Sequence, residues 1–177
     1  MPDLSVVLFT VFILLTGGER IVELVTSIRH ARWAFARGGV ESGRGHYPAM
    51  VMLHTGLLVG SLAEVWLLGR PFIALLGWPM LAIALLCQVG RIWIIRSLGQ
   101  QWNTRIIVVP GMSLSRRGPY RWARLRHPNY LLVVVEGLAI PLIHSAFITA
   151  GVFAVLNAIL LIGFRIPAED LALEASR

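Results

Sequence analysis

Five stretches of this chain are long, apolar and almost free of charge, and nothing else in the sequence restricts the fold as strongly. They run from about residue 4 to 27, 47 to 68, 71 to 95, 129 to 143 and 145 to 164. A hydrocarbon layer of about 30 Å takes about 20 apolar residues of helix to cross. Within it each backbone N–H and C=O must be bonded inside the segment, a condition that helices meet. The expected fold is an all-α integral membrane protein with about five transmembrane helices, a single domain over residues 1–177. With 56% hydrophobic and 14% charged residues, and a mean hydropathy of +0.73, no room remains for a separate soluble module. The first run lacks a preceding basic stretch and a following small-residue cleavage site, so a retained span is expected rather than a signal peptide.

Charge gives the sidedness. The formal net charge is +7 and every basic residue is Arg. Arg29, Arg32, Arg37 and Arg44 face only Glu41 in the 28–46 connection, and Arg96, Arg105, Arg116, Arg117, Arg121, Arg124 and Arg126 face no acid in the 96–127 connection. The 69–71 turn holds Arg70, and the turn around Pro141 to His144 holds none. Positive loops stay in the cytoplasm, which places the N-terminus outside and the C-terminus inside. Topology and attraction to anionic membrane lipids account for the excess, so nucleic acid is not an expected partner. The lone Cys87 lies in an apolar run, which excludes a disulfide framework or a CxxC metal site. No internal repeat is visible, and an inverted-repeat transporter is disfavoured.

Ionisable groups within spans cost about 2.5–3.5 kcal/mol each on insertion and usually face a protein interior or cavity. Here they are Glu19, Arg20, Glu23, Arg91 and Glu136, accompanied by His54 and Gln88. Glu19 and Glu23 are a turn apart, Gln88 and Arg91 similarly, and Glu136 sits about 12 Å along its helix from the basic loop. The polar groups thus gather in the cytoplasmic half, either around a cavity or as a buried ion-pair cluster. Glu64 is expected at the outer interface, His54 as a satisfied core histidine and His144 as a solvated turn residue.

The densest constellation is Gly118-Pro119-Tyr120 followed by Arg126-His127-Pro128-Asn129-Tyr130. Pro128 suits a first helical turn, which puts Arg126 and His127 at a helix N-terminus, where free N–H groups and the dipole favour a carboxylate. Tyr130 is one turn further in, and Tyr and Trp faces attract cations. A ligand with an anionic group and a cationic or aromatic part would suit this loop, and so would a basic-aromatic membrane anchor. Residues Arg105 to Val109 alternate as a short extended piece. From Arg165 onward the pattern is amphipathic, with Pro167 in the first turn of a terminal surface helix.

These elements, with Arg165 and Glu169-Asp170 after a further hydrophobic hairpin, resemble the isoprenylcysteine carboxyl methyltransferase family over about residues 98–173. That family carries a GPY element, an RHPxY element, a helical hairpin, and then Arg and two acids. The chain departs from it at Leu132, where Gly is frequent, and at Asp170, where the second acid is Glu. Glu19-Arg20 and Gly45-His46-Tyr47-Pro48 are more similar to the small bacterial branch, some members of which O-methylate alkylpyrones made by type III polyketide synthases.

The resemblance implies an S-adenosylmethionine-dependent O-methyltransferase with a cytoplasmic cofactor-binding loop and a lipophilic acceptor entering from a bacterial plasma membrane. Arg126, His127, Tyr130 and Glu169 would enclose the cofactor, and Gly118 and Tyr120 would shape the loop over it. Arg165 would orient an anionic acceptor. Methyl transfer from a sulfonium needs no metal and, for an ionised acceptor, no strong base, so positioning and exclusion of water would dominate. For a less acidic hydroxyl, Glu136 or His127 is the candidate base. Two other readings compete. A membrane NADPH-dependent reductase of the sterol type uses a similar RHPNY-like element but often has Glu where this chain has Leu132. A non-catalytic lipid-binding protein would leave the ordered motifs accidental.

Overall fold

The computed structural model describes residues 3–113, 115–122 and 127–175. Its helices are α1 (Leu4–Phe35), α2 (Tyr47–Leu68), α3 (Ala74–Leu98), α4 (Pro128–Leu142), α5 (Phe147–Leu160) and α6 (Ile166–Ala175). The protein is an all-helical membrane protein: the four helical segments Leu4–Phe35, Arg44–Leu68, Ala74–Gln101 and Phe147–Ala175 are long and apolar enough to cross a bilayer, and α4 is a shorter apolar helix. At 1.5 Å per residue, the 15 residues of α4 span about 22 Å, against about 37 Å for the 25 of α3. The two pack together, with Leu132 against Gly90.

Large apolar side chains point outward along the helices, Leu14, Leu67 and Ile162 among them, as lipid requires. Inside, the bundle is layered. Phe9, Ile13, Val65, Ala84, Ala139, Ile140, Ile143 and Ala146 form an apolar core at the end near the α2–α3 and α4–α5 turns. Small residues let the helices approach there. A Cβ on Gly137 of α4 would run into the Phe153 ring of α5.

Two expectations are corrected at this end. Glu64 is not solvated at an interface: it is 6% exposed, and its carboxylate accepts from the N–H groups of Ile148 and Thr149 and pairs with Arg70 at 2.8 Å. It caps the start of α5, which has no side-chain cap of its own. His144 is not solvated either. It is 1% exposed, packed between Phe9 and Phe72, with Nε2 3.1 Å from the Ser5 hydroxyl. In both cases a helix end turned inward gives the polar group a partner that water would otherwise supply.

The opposite end differs from a plain bundle. α1 continues past the expected limit at 27 to Phe35, because Ala31 and Ala34 still face a packed neighbour. Beyond it β1 (Val40–Ser42) pairs antiparallel with β2 (Ile106–Val108), Val40 opposite Val108 and Ser42 opposite Ile106. β2 falls within the expected extended piece; β1 has no matching alternation. α5 runs into α6 without a break through a single π turn, Leu161–Arg165, and no described residue of α6 is buried.

Candidate active site

Between these layers lies a ring of ion pairs. Glu136 of α4 accepts from Arg20 of α1 at 2.5 Å and from Arg91 of α3. Arg20 also bonds Glu23 at 2.7 Å and the amide of Gln88 at 3.1 Å. The cluster ties α1, α3 and α4 together with every guanidinium facing a carboxylate, as burial of charge demands. Arg91 therefore does not snorkel to the interface. His54 bonds the Met50 carbonyl of its own helix at 2.8 Å, a satisfied core histidine.

A large hollow lies beyond this ring, at the end carrying the Arg-rich connections. It has a volume of about 1200 Å³. Its walls come from Trp33 and Ala34 of α1, the segment from Trp102 through β2, Tyr120, the start of α4, and α6. His127, Tyr130, Arg165 and Glu169 all line it. The local reasons are legible. Pro128 starts α4 with a ring-fixed φ, so His127 becomes the N-cap and Asn129 and Tyr130 face the hollow from the positive end of the helix. The π turn buries Arg165 to 6% exposure and brings Glu169 round to the same wall.

The four side chains are joined. The Tyr130 hydroxyl donates to Glu169 and accepts from Arg165 Nε at 3.1 Å. The His127 ring stacks on Tyr130, centroids 5.3 Å apart, and lies 3.6 Å from Glu169 and 3.3 Å from Asp170. Glu169 first, and Asp170 after it, favour the charged imidazolium over the opposing effect of burial, so the His127 pKa is raised. Burial pushes the Tyr120 phenol up, with Glu169 adding to the shift.

Gly118 does not line the hollow but shapes the turn holding Tyr120. Its φ is +55°, and a Cβ there would collide with the Ser97 side chain of α3. Arg126 lies outside the described residues. Glu136 is not brought to the hollow; it stays in the ion-pair ring, because two arginines from neighbouring helices hold it. Sequence reasoning missed Thr104, whose carbonyl accepts from Arg165 at 2.6 Å, and Ser27 and Tyr47, which bond Thr104. The one available signal was the polar pair Asn103-Thr104 set between Trp102 and an apolar strand.

Residues 80–175 match the model of the isoprenylcysteine carboxyl methyltransferase (ICMT) family. A protein of Bacillus subtilis strain 168, described as uncharacterized protein YpbQ, is 39% identical over 157 residues, covering 88% of this chain and 90% of its own length. An uncharacterized protein of Haemophilus influenzae is 26% identical over 157 residues, 87% of this chain and 88% of its own. No solved structure matches.

Proposed function

Because the chain belongs to the isoprenylcysteine carboxyl methyltransferase family, whose members are membrane methyltransferases using S-adenosylmethionine, we propose that it O-methylates a carboxylate or acidic hydroxyl of a lipophilic acceptor at the cytoplasmic face of a bacterial plasma membrane. A prenylcysteine-like or alkylpyrone-like lipid meets that description. The observation that carries the reading is the convergence of His127, Tyr130, Arg165 and Glu169 on one hollow beside lipid-facing helices.

The residues fit the cofactor. Among the described residues, Trp102 Nε1, His127 Nδ1 and Asn129 Oδ1 are buried in the wall without hydrogen-bond partners. Each such orphan costs about 1–3 kcal/mol, which a ligand bearing an ammonium, a carboxylate and a polar base would relieve. When bound, S-adenosylmethionine supplies an electrophilic methyl group on a sulfonium. Glu169 would hold its ammonium, His127 and Tyr130 would enclose the cofactor, and Tyr120, braced by Gly118, would cover it.

Arg165 aligns the anionic oxygen of the acceptor, and the apolar wall excludes water from the reacting pair. His127, biased towards its charged form, is a poor proton acceptor, and Glu136 already answers two guanidinium groups. The acceptor accordingly ionises on its own. The test is incubation of membranes containing the protein with methyl-labelled S-adenosylmethionine. Label is expected in the lipid extract with the wild type and lost in Arg165→Ala. Release of labelled methanol by mild alkali identifies an ester, and retention identifies an enol ether. Absence of any labelled lipid overturns the proposal.

A further inference from the structure

Arg165 is almost fully buried, yet it makes no salt bridge among the described residues. Its partners are a hydroxyl, that of Tyr130, and a peptide carbonyl, that of Thr104. Both are neutral. Glu169 reaches Arg165 only through the Tyr130 hydroxyl, and the neutral carbonyl fixes the guanidinium without a direct ion pair, leaving charge for a ligand.

Thr104 is itself held from the N-terminal half of the chain through its N–H and its hydroxyl. Its N–H donates to the Ser27 hydroxyl of α1 at 3.0 Å. Ser27 Oγ also lies 2.8 Å from Thr104 Oγ1 and donates to Asn103 Oδ1 at 2.7 Å, and Tyr47 of α2 lies 3.1 Å from Thr104 Oγ1. Counting donors leaves one direction for the protons. The single Ser27 proton goes to Asn103, so Thr104 Oγ1 donates to Ser27, and Tyr47 donates to Thr104. Asn103 Nδ2 closes the loop on the Ser27 carbonyl at 3.1 Å. Ser27 is 2% exposed, and its hydroxyl has no capacity to spare.

We propose that Ser27, supported by Tyr47, is a positioning residue for acceptor recognition, holding the Thr104 carbonyl where it aims the unpaired charge of Arg165 into the hollow. Both residues precede the segment 80–175 that carries the family match, so the first two helices reach the reaction through one residue, Thr104. The inference rests on the acceptor-orienting role proposed for Arg165. Glu169 and His127 do not touch this chain of hydroxyls and connect to it only through Tyr130 and Arg165, so cofactor affinity is expected to change much less than affinity for the acceptor.

The experiment compares Ser27→Ala, Ser27→Thr, Tyr47→Phe and Arg165→Lys with the wild type in lipid nanodiscs. N-acetyl-S-farnesylcysteine serves as acceptor probe, S-adenosylhomocysteine binding reports the cofactor site, and the arginine Nε–H resonance lost in Arg165→Lys reports the guanidinium. Ser27→Ala is expected to raise the KM for the probe about tenfold, the worth of one buried hydrogen bond, with kcat and S-adenosylhomocysteine affinity preserved. It is also expected to broaden the Arg165 resonance by exchange. Ser27→Thr restores both, and Tyr47→Phe shows a smaller change in the same direction. An unchanged resonance and KM in Ser27→Ala overturns the inference, and so does a parallel loss of S-adenosylhomocysteine affinity. If the probe is not methylated, or its KM ignores Arg165→Lys, the role proposed for Arg165 fails, while the resonance still decides whether Ser27 holds the guanidinium.

Discussion

The Tyr130 hydroxyl stands between Glu169 and Arg165, giving its proton to the first and accepting one from the second. One phenol thus joins the carboxylate proposed for the cofactor to the guanidinium proposed for the acceptor. Tyr130→Phe keeps the ring that stacks on His127 and deletes only this link. Affinity for S-adenosylhomocysteine is expected to fall about tenfold, for loss of about 1.4 kcal/mol, as measured by calorimetry in detergent.

The pH dependence follows from His127. Its pKa is raised in the folded state by Glu169 and then Asp170, so its stabilising contribution is complete below the ordinary value of 6.5 and disappears as pH climbs through the folded pKa. Thermal stability is therefore expected to decline across that window in the wild type. Glu169→Gln should flatten the decline, since it removes the larger of the two causes. A melting series from about pH 5 to about pH 9 checks this.

Glu136 separates structural from catalytic carboxylates. Its neutralisation leaves Arg20 and Arg91 buried with one partner fewer, and Glu136→Gln is expected to cost about 3 kcal/mol in unfolding measurements. The pH profile of methyl transfer by the surviving folded enzyme should keep its wild-type shape, because Glu136 does not line the hollow. A new dependence near neutral pH would instead assign Glu136 as the base.

Glu64 gives a control at the far end of the bundle. Glu64→Ala strands Arg70 and the first N–H groups of α5, and about 3 kcal/mol of stability is expected to be lost with no change in S-adenosylhomocysteine affinity. Loss of affinity together with stability would mean that the two ends of the protein are coupled.

The helices were legible because lipid imposes length and apolarity on every spanning segment, and because Arg is concentrated in two connections. The site was legible where a backbone rule acts locally. Pro128 fixes a helix start, and that alone aims His127 and Tyr130. Glu64 and His144 were misread for a shared reason: what buries them, the N–H groups that start α5 for Glu64 and Phe9, Phe72 and Ser5 for His144, lies far along the chain, where periodicity does not reveal it. Thr104 was invisible on the same ground. It acts through a carbonyl that every residue possesses, and only the approach of α1, α2 and the Arg165 turn gives that carbonyl a task.

The wide turn at Leu161–Arg165 encloses one more residue per hydrogen bond than the helix on either side. It works as a phase shifter: the supernumerary residue rotates everything downstream by about 100° relative to an unbroken α-helix. Winding this segment as a regular α-helix at unchanged length would swing Glu169 off the wall that Tyr130 occupies, with no contact residue altered. Spacing between the hydrophobic hairpin and the acidic pair is thus as binding a specification as the identity of the acids themselves.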